Sequence, residues 1–214
     1  ARLRTLALLA LVLFLLVIVD RWVYLALRPA NDLAEAKLEG RDWYQFLRAF
    51  GYLPTWAVVA GVLWVGGART VRDVRTARRR AIAILGSPIL AGLIAEVMRV
   101  VIARHRPSVA NDGGYVFEPF LSHLWSGSGL GMPSSHAAVA FGGAAAIACM
   151  KRGTWILLYP CAAGCALTRM LGGDHFATDV FVGMLVGIAV GRLLVRRLGI
   201  RDDVPIIEMG GRYG

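Results

Sequence analysis

The sequence predicts an all-α protein, a bundle of six membrane-spanning helices with both termini on the cytoplasmic side. Three observations carry this expectation. The chain of 214 residues is 57% hydrophobic and 18% charged, with a mean hydropathy of +0.59, whereas soluble chains run near 45 to 50% apolar and about 25% charged. Its apolar residues gather into six runs, each close to the ~20 residues a helix needs to cross the hydrocarbon core. Its basic residues cluster at alternate ends of those runs.

The first run covers residues 5–27, with Asp20 and Arg21 interrupting it and Trp22 and Tyr24 placed as interfacial anchors. Arg2 and Arg4 precede its apolar core as they would in a signal peptide, but no clear small-x-small cleavage site follows, so the segment reads as a span. The following connection, with its charged stretch from Asn31 to Gly40 and then Trp43, Tyr44, Phe46 and Leu47, suggests a short helix lying at the interface. The second run is 52–68. Arg69, Arg72, Arg75 and Arg78 to Arg80 then form a basic loop before the third run, 81–102.

Residues 103–131 are rich in Gly, Pro and aromatic side chains and read as an ordered outer loop, His123 being a loop residue rather than a ligand. The last three runs are 132–150, 154–171 and 176–195, separated by Lys151-Arg152 and by a turn at Gly172-Gly173-Asp174. Gly183, Gly187 and Gly191 recur at every fourth position and permit close helix approach within the bundle. Cys149, Cys161 and Cys165 are odd in number and form no C-x-x-C pair, so they read as packing residues. No internal repeat or separate soluble domain is evident, and residues 1–214 read as one membrane-embedded domain.

This arrangement accounts for the net charge of +10 and the pI near 10.4. Fifteen of the 24 basic residues, against four of the 14 acidic ones, fall on the side that holds Arg2, Arg4, the Arg69–Arg80 run, Lys151, Arg152 and the basic residues from Arg192 onward. The positive-inside rule makes that side the cytoplasm. No nucleic-acid partner is needed to explain the charge, and the sequence leaves oligomeric state open.

On the opposite side, four helix ends carry ionisable residues that are costly at membrane depth and therefore face a polar cavity or a partner. Arg99 and Arg106 close the third run, Pro133-Ser134-Ser135-His136 opens the fourth, Thr168-Arg169 closes the fifth, and His175 and Asp179 open the sixth. These residue types suit phosphoryl transfer, whose transition state spreads negative charge over three equatorial oxygens. Arg99, Arg106 and Arg169 supply permanently charged planar donors. Ser134 and Ser135 at a helix start add hydroxyls beside unpaired backbone N–H groups. His175 and Asp179, four apart, share a helix face, so the carboxylate can hold one ring nitrogen and leave the other free to attack phosphorus. His136 is then the acid/base group. No cofactor is implied. His, Asp and Glu show no zinc spacing, and three arginines would repel a divalent cation, so no metal is expected.

Arg99-x6-Arg106-Pro107, Pro133-Ser-Ser-His136 and Thr168-Arg169-x5-His175-x3-Asp179 resemble, in order and spacing, the three-part signature of the type 2 phosphatidic acid phosphatase superfamily, the lipid phosphate phosphatases. The pattern there is K-x6-RP, PSGH and SR-x5-H-x3-D. The resemblance implies a metal-independent membrane phosphatase with His175 as nucleophile, Asp179 as its orienting partner, His136 as acid/base, and Arg99, Arg106, Ser134, Ser135 and Arg169 as phosphate ligands. Arg99 stands where the pattern has Lys, Ser135 where it has Gly, and Thr168 where it has Ser. The expected substrates are lipid phosphates or diphosphates: undecaprenyl diphosphate, phosphatidylglycerophosphate, phosphatidic acid or a lipid A phosphate. The expected place is the bacterial inner membrane, with the site facing the periplasm. The alternatives are a lipid phosphotransferase using the same phosphohistidine and, further off, a non-catalytic scaffold or transporter.

Overall fold

A computed structural model describes residues 2–67, 71–120 and 129–200. His123, Trp125 and Gly127 of the expected outer loop, Arg69, and the basic residues Arg201 and Arg212 lie outside the described residues. Within them the regular structure is helical: α1 (Arg2–Leu27), α2 (Asp32–Glu39), α3 (Asp42–Ala49), α4 (Leu53–Gly67), α5 (Val71–Ile102), α6 (Ser135–Met150), α7 (Trp155–Leu171) and α8 (Ala177–Arg197). A single 3₁₀ turn spans Val109–Asn111, and two isolated β-bridges tie the outer loop.

Length and composition make three helices, α1, α5 and α8, able to cross a membrane, and a fourth span arises if α3 and α4, bent by 67°, count as one broken segment. The expectation of six full-length spans is corrected accordingly. At ~1.5 Å per residue, α6 and α7, with 16 and 17 residues, reach only about 24 and 26 Å against a hydrocarbon core near 30 Å. Pro133 and Gly131 stop α6 from beginning earlier, and Lys151 through Gly153 separate it from α7.

A second correction concerns the basic run. Residues 71–80, expected as a loop, form the first three turns of α5. Arginine and alanine are good helix formers, and no Gly or Pro occurs between Val71 and Leu85 to end the helix. α1 likewise runs straight through Asp20 and Arg21. Asp20 is fully buried on the face turned toward α8, where Tyr24 also packs against Phe176 with ring centroids 5.8 Å apart. The segment expected at the interface forms two short helices rather than one, α2 capped by the Asn31 side chain on the Ala34 N–H at 2.9 Å.

Small residues set the core. α6 is a run of Ala and Gly, most of it buried. Gly183, Gly187 and Gly191 of α8 face its carbonyls: a Cβ at Gly187 would stand 2.5 Å from the Ala138 oxygen and one at Gly191 2.7 Å from the Gly142 oxygen, while one at Gly183 would collide with the Ser134 oxygen. The backbones of α6 and α8 thus meet directly, as the every-fourth glycine spacing leads one to expect. Trp56 of α4 fills the notch at Gly143, and Leu47 of α3 fills the one at Gly164. Leu3, Phe14, Leu93, Val97 and Ile156 point outward, which is the arrangement of a protein solvated by lipid.

Candidate active site

Arg99 lies on the last turn of α5, buried, where Nη1 pairs with Glu96 Oε2 at 3.0 Å and Nη2 donates to Ser135 Oγ at 2.8 Å. The helix ends at Ile102, and Ala103 takes a left-handed φ of 52°, which turns the chain into an extended stretch. That stretch is held from both sides. His105 N–H donates to the Val116 oxygen at 2.9 Å, Glu118 N–H to the Ala103 oxygen at 2.9 Å, Arg106 N–H to the Gly129 oxygen at 2.8 Å and Gly131 N–H to the Arg104 oxygen at 2.7 Å. Successive side chains of an extended segment point opposite ways. Arg104 and Arg106 therefore face the helix ends, while His105 turns away to Glu118 Oε1 at 2.8 Å. Gly131 is required for this closeness, since a Cβ there would lie 3.1 Å from Asp179 Oδ2 and 3.2 Å from Arg106 Cα.

Asp179 lies in the first turn of α8 and His175 two residues before the helix begins, rather than both on one helix face as expected; they are 0% and 2% exposed, with Nδ1 and Oδ2 3.4 Å apart. Asp179 also caps the helix, its Oδ2 accepting from the Phe176 N–H at 2.9 Å, and its Oδ1 forms an ion pair with Arg104. Arg104 is itself buried, donates to Thr178 Oγ1 at 2.6 Å and lies over the rings of Tyr115 and Phe176 at 4.6 and 5.2 Å. Behind it, Asp20 of α1 accepts from the Thr178 N–H at 3.0 Å, from the Thr178 hydroxyl and from the Tyr115 hydroxyl at 2.7 Å. One polar chain therefore runs from a membrane-spanning helix to the His175–Asp179 pair.

Arg169 on the last turn of α7 is 4% exposed, and Tyr44 of α3 donates to the carbonyl of its neighbour Thr168 at 2.9 Å. Asp174 then joins two arginines: Oδ1 accepts from Arg106 Nη1 at 2.9 Å and Oδ2 pairs with Arg169 Nη2 at 2.7 Å. At the start of α6, Ser134 is buried and its N–H donates to the Asp179 carbonyl at 3.0 Å, so that N–H, expected as a free donor, is engaged. Ser135 and His136 are half-buried, and the His136 ring stands edge-on to Tyr52 with centroids 5.3 Å apart.

The eight residues singled out from the sequence thus fall into linked groups at one end of the bundle: Arg99 with Ser135, Arg106 with Arg169 through Asp174, and His175 with Asp179, which Ser134 ties to the α6 start beside His136. Glu96 pairs with Arg99 one turn away. Sequence reasoning missed Arg104, Asp20, Tyr115, Tyr44 and the double role of Asp174. A charged residue inside an apolar run was the available signal for Asp20. The others declare themselves only in three dimensions.

Burial pushes the His175 imidazole pKa down, more than the Asp179 carboxylate pulls it up, which favours the neutral ring. Burial, aided by the hydrogen bond to Asp20, pushes the Tyr115 phenol up to about 12 and keeps it a proton donor. Among the described residues no group of three or more His, Cys, Asp or Glu side chains could hold a metal ion.

No solved structure matches the chain. Among curated proteins it is similar to the lipid A 1-phosphatase of Rhizobium etli, 27% identical over 153 residues covering 67% of this chain and 65% of that protein. It is also similar to the lipid A 1-phosphatase of Rhizobium johnstonii, 27% identical over 154 residues covering 67% and 62%. The chain thus spans just under two thirds of the length of these relatives. The model of the PAP2 superfamily matches residues 80–201, more than half of the chain and the stretch that carries the arginines, histidines and Asp179 described above, and the chain belongs to that superfamily.

Proposed function

We propose that this protein dephosphorylates a membrane lipid phosphate or diphosphate, without a metal, at the outer face of the inner membrane. The observation that carries the reading is the convergence of four buried or half-buried guanidiniums, two histidines and the α8-capping carboxylate, from the ends of α5, α6, α7 and α8 and the extended stretch after α5. Among the described residues, several polar atoms there are buried and have no hydrogen-bond partner: Arg99 Nε, Arg169 Nε and Nη1, and Ser134 Oγ. Unmet donors of this kind are costly, and the oxygens of a phosphate would satisfy them.

In the proposed reaction the free ring nitrogen of neutral His175 attacks the terminal phosphorus, and its bond to the leaving oxygen, that of the lipid alcohol or of a lipid monophosphate, breaks as His136 protonates the leaving group. Asp179, held by Arg104 and the Phe176 N–H, fixes the ring and stabilises the phosphohistidine. Water, deprotonated by His136, then attacks phosphorus as its bond to the His175 nitrogen breaks, which releases orthophosphate and restores the neutral imidazole. Arg99, Arg106, Arg169, Ser134 and Ser135 hold the phosphoryl oxygens as charge develops.

The basic clusters of α5, the α6–α7 turn and the end of α8 would face the cytoplasm and the site the periplasm. The short α6 packs between α5 and α8, and α7 packs against α6 and α3 with Trp155, Ile156 and Leu157 exposed. α2 and α3 lie at the interface, where exposed Leu33, Trp43 and Phe46 meet the acyl chains of the substrate. The names of the two relatives put lipid A phosphate first among the substrates to test, ahead of undecaprenyl diphosphate, phosphatidylglycerophosphate and phosphatidic acid.

The test is phosphate release from this panel in nanodiscs with EDTA present, comparing the parent protein with His175→Ala. Release by the parent alone, inhibited by vanadate, is the expected result. Equal release by both, or a strict need for divalent metal, would overturn the proposal.

A further inference from the structure

The site already contains an anion of its own. Asp174 places one carboxylate oxygen on Arg106 and the other on Arg169, at 2.9 and 2.7 Å, and these are two of the three arginines assigned to the phosphate. A carboxylate bridging two guanidiniums accepts from the same donors that two oxygens of a phosphoryl group would use. It is positioned to exchange rather than to stay. Its side chain is 25% exposed and that of Arg106 is 40% exposed, so these two lie at the rim of the site, whereas Arg169, Arg99 and His175 are buried. The neighbouring Gly173 takes a left-handed φ of 74°, and the Asp174 N–H is fixed to the Arg169 carbonyl at 3.1 Å. The backbone is thus held by its own hydrogen bond, so leaving the two arginines requires only a side-chain rotation of Asp174.

We propose that Asp174 is an internal competitor for the phosphate seat, a residue that lowers the affinity of the site for phosphate and so speeds departure of the orthophosphate product. The proposal rests on the phosphatase reading. A pocket of three permanent cations would hold orthophosphate tightly, and turnover would then stall on release. With Asp174 present, phosphate binding requires the carboxylate to leave Arg106 and Arg169, so the observed affinity is the intrinsic one reduced by the fraction of molecules in which those donors are free. The same carboxylate returns as phosphate leaves, so the arginines do not remain unpaired. A purely structural role predicts the opposite sign: if Asp174 served to aim the two arginines, removing its charge would weaken phosphate binding.

The experiment measures orthophosphate binding by calorimetry, and orthophosphate inhibition of lipid dephosphorylation, for the intact protein in detergent and for Asp174→Asn and Asp174→Ala. Thermal unfolding confirms that each variant is folded. Both variants should bind orthophosphate at least about fivefold more tightly, with a matching fall in the inhibition constant and a lower KM. Their kcat should fall as product release slows. Unchanged or weaker orthophosphate binding in both folded variants overturns the inference. If the parent binds orthophosphate, and the variants bind it more tightly, but no lipid is hydrolysed, the competition stands and the phosphatase reading fails.

Discussion

Two of the three departures from the family pattern touch each other. Arg99 replaces a lysine and Ser135 a glycine, and the longer guanidinium reaches the added hydroxyl at 2.8 Å. Each substitution supplies the partner of the other, so their effects should not add. Arg99→Lys and Ser135→Gly should each lower kcat/KM, while the double variant, which restores the family pair, should recover much of the loss, with a coupling of about 1 kcal/mol in a double-mutant cycle. Additive losses would show that the contact is incidental. His175 offers a second test. Its folded pKa lies below the ordinary ~6.5, so as pH falls the unfolded chain takes up the proton first. Stability contributed by this group is complete above the unfolded pKa and is lost as pH drops below it toward the folded value. The melting temperature of the parent should therefore fall more steeply below pH ~6.5 than that of His175→Gln, and the nucleophile limb of kcat/KM should lie on the acid side of ~6.5. Arg99 and Ser135 were legible as polar residues at the ends of apolar runs, and His175 by its spacing from Asp179, although the expected shared helix face is not what joins them: His175 precedes α8 and only Asp179 lies in its first turn. Arg104 was not, since its value comes from Asp179, Thr178 and two rings contributed by segments remote in the chain.

Among the elements, the seam between α6 and α8 does the positioning, because one helix start carries His136 and the other His175. A methyl group at Gly187 would press on the backbone oxygen of Ala138 from 2.5 Å, and backbone cannot swing aside as a side chain does. Gly187→Ala should destabilise the protein by about 1–3 kcal/mol and Gly187→Val by more, with activity falling together with the melting temperature in detergent. An unaffected Gly187→Val variant would refute this packing. α1 acts on the site through one carboxylate. Asp20→Ala leaves the Thr178 N–H without its acceptor and the Tyr115 hydroxyl with only the Val17 carbonyl at 3.4 Å, and a loss of about 1–3 kcal/mol of stability is expected, with reduced activity measured in the folded fraction. The existence and order of the helices could be read from apolar runs. Their lengths could not, because α5 continues through a basic stretch that hydropathy alone ends at Ala81, and α6 is truncated by the Pro133 that precedes it.

At the scale of the whole molecule, the proposed sidedness is open to direct test. In a background lacking Cys149, Cys161 and Cys165, an impermeant maleimide applied to intact spheroplasts should label Ala110→Cys, on the exposed outer loop, and spare Lys151→Cys until the membrane is opened. The reverse pattern would place the site in the cytoplasm. One further consequence concerns the lipid environment. The Ser134 N–H is bonded to the Asp179 carbonyl at 3.0 Å, directly above the glycine seam, so the two histidine-bearing helix starts are fastened backbone to backbone. Bilayers of different thickness exert their strain by tilting long helices against one another. Here such strain would fall on α1 and on the long basic arm of α5, while the reacting groups keep their separation. The chemical step should therefore proceed at nearly the same rate in thin and thick membranes, and lipid composition should govern only how readily substrate arrives.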